Sequence, residues 1–305
     1  MMSEEKLYGE NTELLGYAGK TCVVTGSASG IGKAVCDLLI GLGAKVYGLD
    51  RNEYAPAGLA GFIAADLSSK ESIDAAFAAL PQKIDCFFGV AGLSGAKTDW
   101  WTTFAVNFIA NKYITEAYLE KRMEAGSSIV YVTSTGGLMW EKWQNEYKKI
   151  MGCTTWESMV EFMKKTAPNN GVGIMAYSLS KRAMNYYTNL KAIELAGKGI
   201  RVNAVLPGST DTDMKQEFEK MAGGKEALLK ENGNVGRLAQ PGEMAEPLLF
   251  LNSSMARFVS GQLLIVDMAN NCEIVLGRKK SRLNVPVALK IYNTSFFQKM
   301  MQKQV

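Results

Sequence analysis

The chain predicts an α/β fold built on a doubly wound parallel sheet. Three observations predict it. Short apolar runs alternate with amphipathic stretches along most of the 305 residues. A glycine-rich turn joins the first run to the first helical pattern, and an acidic residue closes the second run. Alternation of this kind is what parallel strands with crossover helices require.

The elements follow in order. Strands are expected at Thr21–Val24, Lys45–Asp50, Gly61–Ala65, Asp85–Val90, Ser128–Ser134, Arg201–Leu206 and Leu263–Val266. Amphipathic helices are expected between them, including Ser72–Leu80, Met175–Ala196 and Gly242–Leu251. No internal repeat or low-complexity linker interrupts the pattern. The chain reads as a single domain over 20–267, flanked by extensions over 1–19 and 268–305.

The first turn reads Thr25-Gly26-Ser27-Ala28-Ser29-Gly30-Ile31-Gly32. A strand, a tight glycine turn and a helix N-terminus form a receptor for pyrophosphate, because free backbone N–H groups and the helix dipole converge there. Gly26 allows the turn, Gly30 lets backbone approach phosphate, and Gly32 permits close packing of helix on strand, with Ser29 and Ile31 between them. The Gly-x-x-x-Gly-x-Gly spacing differs from the commonest dinucleotide fingerprint. The plainer reading is an ordinary glycine-rich turn, which the strand and helix flanks argue against. Asp50 ends the second strand 24 residues after Gly26. A carboxylate there bonds ribose hydroxyls and repels a 2′-phosphate, which favours NAD over NADP. Arg51 follows it, but the turn itself carries no basic residue.

Tyr177 and Lys181 stand four residues apart, so a helix puts both on one face. A nearby ammonium favours phenolate, so Lys181 is expected to lower the phenol from its usual value of about 10. A tyrosine so placed exchanges a proton with an oxygen while hydride moves at the attached carbon. Alone the pair is a weak signal; beside a nucleotide turn it is a strong one.

On these motifs the chain resembles the short-chain dehydrogenase/reductase family over roughly residues 20 to 267. The resemblance implies a Rossmann fold, a nicotinamide cofactor (NADH preferred over NADPH), and a homotetramer formed through the helices near Asn107 and Tyr177. It implies that Asp66-Leu67 contact adenine, that Ala91-Gly92 end the fourth strand beside the cofactor, and that Asn107 serves a water-linked proton relay to Lys181. It assigns the catalytic serine to Ser134, with Thr133 and Thr135 as neighbouring hydroxyls. Pro207-Gly208-Ser209-Thr210-Asp211-Thr212 resembles the loop that grips the nicotinamide carboxamide, through Thr210 or Thr212. The family's usual Asn-Asn-Ala-Gly stands here as Gly89-Val90-Ala91-Gly92, so an asparagine side-chain role is lost.

Ser134 and Tyr177 are 43 residues apart, farther than in most relatives. The insertion over 136–172 carries Trp140, Trp143, Tyr147, Trp156, Met159 and Met163 at helical spacing. Such a stripe usually packs a core. Its place beside Ser134 and Tyr177 predicts instead a cover over a large apolar substrate, with Trp140 and Trp143 in contact. In this the chain is similar to the 3α-hydroxysteroid dehydrogenase/carbonyl reductase group, which implies a steroid or bile-acid-like substrate, of 3α or 20β type. A related enzyme for a smaller carbonyl or alcohol, and a non-catalytic nucleotide-binding relative, are the competing expectations.

Composition narrows the chemistry. The chain has no histidine, which removes Ser-His-Asp hydrolysis and histidine-ligated metal sites; no metal is implied. Five scattered cysteines without a Cys-x-x-Cys pair read as reduced thiols in a cytoplasmic protein. The polar start is no signal peptide, and no run of about 18 apolar residues predicts a membrane span. After Asp267 seven basic residues face Glu273 alone, which predicts a solvated or packed tail, with weak association with an anionic surface as the alternative. No nucleic-acid module is present.

Overall fold

The computed structural model describes residues 14–52, 57–166, 173–231 and 235–279. Seven strands form one parallel sheet: β1 (Thr21–Thr25), β2 (Lys45–Asp50), β3 (Gly61–Ala64), β4 (Cys86–Gly89), β5 (Ser128–Val132), β6 (Arg201–Pro207) and β7 (Leu263–Val266). Their order is β3-β2-β1-β4-β5-β6-β7. The chain reverses direction across the sheet between β1 and β4, where Val23 pairs with both Tyr47 and Phe87. A crevice therefore opens at the carboxyl ends of these two strands.

Alternate side chains feed two cores. Val23, Phe87, Ile129 and Tyr131 face α2 (Lys70–Ala79), a long helix α3 over 100–122, and α6 (Gly173–Ala196). Val24, Phe88 and Val130 face α1 (Gly30–Gly41) and α9 (Pro241–Asn252). All seven of these strand residues are fully buried, each such apolar side chain contributing about 1.5–3 kcal/mol. Strands buried on both faces explain the continuous apolar runs in the sequence.

Within the expected N-terminal extension Tyr17 is fully buried, and its hydroxyl donates to the Leu249 carbonyl of α9 at 2.6 Å. Helix α3 contains two π turns, Ala105–Ile109 and Thr115–Leu119. The extra residue in each turn rotates the following side chains, and the first turn carries Asn107 into the interior.

The insertion forms a 3₁₀ turn at Trp140–Trp143, then α4 (Gln144–Met151) and α5 (Trp156–Thr166); residues 167–172 lie outside the described ones. Its aromatic stripe rests against α3 and α6. The rings of Trp140 and Tyr147 each sit 6.0 Å from Tyr186, and Trp156 meets Tyr113 edge-on at 5.6 Å. The buried Lys112 ammonium of α3 donates to the Cys153 carbonyl at 2.9 Å, fixing the loop between α4 and α5.

The closest approach in the fold lies at the first turn. A Cβ placed on Gly32 would stand 1.9 Å from the Gly26 carbonyl oxygen, so only glycine lets α1 begin there. Gly32→Ala is expected to lower stability by roughly 2–4 kcal/mol in urea unfolding. Gly242→Ala, whose added methyl meets nothing within 4 Å at the start of α9, is expected to be neutral or slightly stabilising. Equal effects of the two substitutions would contradict this packing account.

Candidate active site

A cavity of about 1130 Å³ occupies the crevice at the carboxyl edge of the sheet. One end is the glycine turn. Gly26 has φ +73° and donates its N–H to the Leu49 carbonyl at 2.8 Å. The Thr25 hydroxyl accepts the N–H groups of Val90 and Ala91 at 3.1 and 3.3 Å, tying the ends of β1 and β4 together. Ser29, at the N-cap of α1, makes no side-chain capping bond, and Ser29, Gly30, Ile31 and Gly32 all line the cavity. The first-turn N–H groups of a helix lack intrahelical acceptors, so this end suits an anionic group.

Asp50 stands beside the turn, its carboxylate accepting the Ala28 and Asn52 N–H groups, each at 3.0 Å. A carboxylate has about four acceptor positions, so it can still receive ribose hydroxyls. Arg51, Asp66, Leu67, Ala91 and Gly92 line the same end, and Pro207, Gly208, Thr210 and Thr212 line the opposite wall. Asp66 is partly committed, its Oδ1 accepting from the Ser68 N–H at 2.8 Å. The methyl of Thr212 lies 3.2 Å from a Cβ built on Gly30, so the two walls meet over the turn. A dinucleotide fits this cradle.

At the other end Ser134, Tyr177 and Lys181 converge on the cavity. Ser134 closes β5, and its Oγ accepts the Gly136 N–H at 2.9 Å. That bond leaves the serine proton free to be donated. Tyr177 and Lys181 lie one turn apart on α6, the Lys181 Nζ 5.7 Å from the phenol ring centre. The Lys181 ammonium donates to the Val132 carbonyl at 2.9 Å. Asn107 does not line the cavity. Its amide instead clamps the loop after β4, accepting from the Leu93 N–H at 2.7 Å and donating to the Leu93 carbonyl at 2.9 Å. It also donates to the Ser180 hydroxyl at 3.2 Å, and Ser180 in turn donates to the Tyr177 carbonyl.

The electrostatics differ from the sequence expectation. Burial pushes the Tyr177 phenol up, and its hydrogen bond with Ser134 offsets only part of this. Burial also pulls the Lys181 ammonium down to about 8, so it is a weaker cation than an exposed lysine. In the chain alone desolvation outweighs the attraction that predicted a lowered phenol.

Among the described residues of the insertion, Gly136 and Leu138 line the cavity, while Trp140 packs on Tyr186. The side chain of Trp143 lies outside the described ones. The cavity is covered by α7 (Lys215–Ala222) and α8 (Lys225–Glu231), which contribute Phe218, Met221 and Leu228, and by Met214 just before them. The Phe218 ring meets Tyr177 edge-on at 5.6 Å. The C-terminal extension also contributes: Asn270, Ile274 and Lys279, on and after α10 (Asn270–Val275), line the cavity, while 280–305 lie outside the described residues. Neither segment carries a motif, and the only sequence signal for α7 is its position directly after the Pro207–Thr212 loop.

Lys181 gives a test of this burial. Its folded value near 8 lies below the 10.5 of an exposed lysine, so between these the unfolded state binds more protons and stability rises with pH. Wild type is expected to gain roughly 3 kcal/mol on Lys181→Met between about pH 7 and 10, measured by urea unfolding. A pH-independent difference would show that Lys181 is not desolvated.

The comparisons with known proteins agree with this architecture. A short chain dehydrogenase family model matches residues 20–149, and an Enoyl-(Acyl carrier protein) reductase family model matches 158–268. Coniferyl-alcohol dehydrogenase from Pseudomonas sp. (strain HR199) is 32% identical over 81% of this chain and 95% of its own. 2,3-Dihydro-2,3-dihydroxybenzoate dehydrogenase from Escherichia coli K12 is 28% identical over 82% of this chain and 96% of its own. The solved 3-alpha-hydroxysteroid dehydrogenase from Pseudomonas sp. B-0831, complexed with NADH, aligns with a TM-score of 0.70 and 25% identity, covering 86% of this chain and all of that one. Similarity that spans the whole sheet, from the glycine turn to β7, leaves one conclusion: the chain belongs to the short-chain dehydrogenase family.

Proposed function

We propose that this protein is an NAD(H)-dependent oxidoreductase that interconverts a hydroxyl and a ketone on an apolar ring substrate of steroid or bile-acid size. The observation that carries the reading is the convergence of Ser134, Tyr177 and Lys181 with the glycine turn in one cavity. Nicotinamide supplies the hydride acceptor or donor when bound. Gly26, Gly30 and Gly32 would hold the pyrophosphate, Asp50 the adenosine ribose, and Thr210 or Thr212 the carboxamide. Asp50 stands where a 2′-phosphate would be repelled, which favours NAD.

Ser134 and Tyr177 hold the substrate oxygen by hydrogen bonds and fix its orientation. Tyr177 passes the proton. Lys181 is still largely protonated at neutral pH, so its charge favours the phenolate and it binds the nicotinamide ribose. The water-linked relay expected at Asn107 falls to its backbone, because its amide is committed to Leu93 and Ser180. Apolar groups such as Leu93, Leu138, Met214, Phe218 and Ile274 line the cavity and suit a ring substrate.

A smaller cyclic alcohol is the second reading. A cyclopentanol dehydrogenase from Comamonas testosteroni is 30% identical over 81% of this chain, and the aromatic insertion lies off the cavity. Rates with 3α-hydroxysteroids, hydroxy bile acids and cyclopentanol, each with NAD and NADP, separate the two. The expected result is NAD-dependent turnover that is fastest with the large substrates. Tyr177→Phe is expected to lose at least 10³-fold in kcat while binding NADH within about two-fold of wild type. Substantial activity in that variant would remove Tyr177 as proton donor.

We infer self-association as well, and a cytoplasmic location from five free cysteines. The tetramer implied by the resemblance uses helices that here carry α4 and α5. The edge strand β7, with exposed Leu264 beside exposed Met255 and Phe258, is the surface we assign to pairing with a second copy. Sedimentation should show at least a dimer, and Leu264→Lys should shift it to monomer; a monomeric wild type at micromolar concentration would refute this.

A further inference from the structure

The cavity is closed on one side by a helix that the interior does not hold. No residue of α7 is buried, although its Glu217, Phe218 and Met221 line the cavity. The helix ends at Gly223 and Gly224, with φ +91° and +119°, and a Cβ on either would meet nothing within 4 Å. Consecutive glycines in that conformation turn the chain without packing it, as a hinge does.

One side chain of α7 reaches the opposite wall. Glu217, whose side chain is only 15% exposed, pairs with Lys97 Nζ at 2.8 Å and accepts a short hydrogen bond from the Ser94 hydroxyl. Ser94 is itself buried, and its Oγ accepts the Ala96 N–H at 3.1 Å, which aims the hydroxyl proton at the carboxylate. Both partners lie on the loop between β4 and α3, the loop that Asn107 clamps at Leu93. The next residue, Phe218, is the one whose ring meets Tyr177. Burial pushes the Glu217 carboxyl up, but the bonds from Lys97 and Ser94 outweigh it and hold the group below its usual range. The carboxylate is therefore charged across neutral pH.

We propose that Glu217 is a positioning residue for the reaction: it fastens α7 across the cavity onto Ser94 and Lys97 and thereby seats Phe218 against Tyr177 as the wall that orients the substrate ring. Making and breaking this one contact closes and opens the substrate end. An ion pair with an exposed lysine is weak alone. The hydrogen bond from a buried, pre-aimed hydroxyl gives the contact its geometry. The inference rests on the oxidoreductase reading for its kinetic test but not for its structural one.

The kinetic test uses a 3α-hydroxysteroid and cyclopentanol as probes. Glu217→Lys places like charges against Lys97 and is expected to raise KM at least ten-fold, with NADH affinity within two-fold of wild type. Glu217→Lys combined with Lys97→Glu restores the pair with its signs exchanged, and is expected to return KM to within three-fold. Ser94→Ala is expected to raise KM about three-fold. An unchanged KM in Glu217→Lys, or a double variant as impaired as the single one, would overturn the assignment. Chymotryptic cleavage after Phe218 provides the structural readout. It should be at least five-fold faster in Glu217→Lys and return toward wild type in the double variant; equal rates in all three would overturn the latch. If neither probe turns over in wild type, the ring-substrate reading fails and the cleavage rates alone decide on the latch.

Discussion

The site depends on one close approach, that of the turn after β5 to the middle of α6. A Cβ on Gly137 would lie 2.8 Å from the Asn185 amide nitrogen and 2.9 Å from the Lys181 carbonyl oxygen, so only glycine permits the contact. Asn185 then donates to the Gly137 carbonyl at 2.9 Å and locks it. With this distance fixed, Ser134 at the end of β5 meets Tyr177 on α6, and Lys181 reaches the Val132 carbonyl. Three groups from two elements thus share one short piece of rigid backbone. Catalytic geometry that must hold to within about half an ångström is better served by such a junction than by loops.

The same junction sets the electrostatics. Packing that brings α6 onto β5 removes water from both Tyr177 and Lys181, and desolvation drives each toward its neutral form. The two shifts differ in consequence. A lysine near 8 remains mainly protonated at pH 7, so a cation persists beside a phenol that holds its proton. The Tyr-x-x-x-Lys spacing does place the two groups together, with Lys181 Nζ 5.7 Å from the phenol ring centre, but burial decides the direction of both shifts. Spacing reports which groups meet; it carries no information on how much water their meeting excludes.

That distinction explains what was legible in the sequence. Strands announce themselves as apolar runs, and Lys45–Asp50 and Leu263–Val266 fall where expected to the residue. Motif residues are equally legible in position: Gly26, Ser29, Gly30, Ile31, Gly32, Asp50, Ser134, Tyr177 and Lys181 all line one cavity. Asn107 was found for its place in α3, yet its amide binds Leu93, a partner that only the π turn reveals. Tyr17 falls in the expected extension because nothing local distinguishes an aromatic that fills the gap beneath α9 from one that faces solvent. The stripe of the insertion poses the opposite difficulty. The Trp–Met stripe has strong periodicity, and periodicity signals burial, not the thing buried against.

The two additions therefore end in contrasting states, and energetics accounts for it. The insertion buries Tyr147, Ile150, Trp156, Met159 and Met163, and such an apolar face holds to α3 and α6 with several kcal/mol. A cover bound that firmly could not open at the rate of turnover. The segment over 215–222 has no fully buried residue and depends on the polar contacts of Glu217, each worth little next to that core. Its weakness suits a wall that must part to admit a rigid ring and close again against Tyr177. Helix α7 is as amphipathic as α4 and α5, yet the contacts of Glu217 with Ser94 and Lys97, rather than a fully buried apolar face, hold it over the cavity.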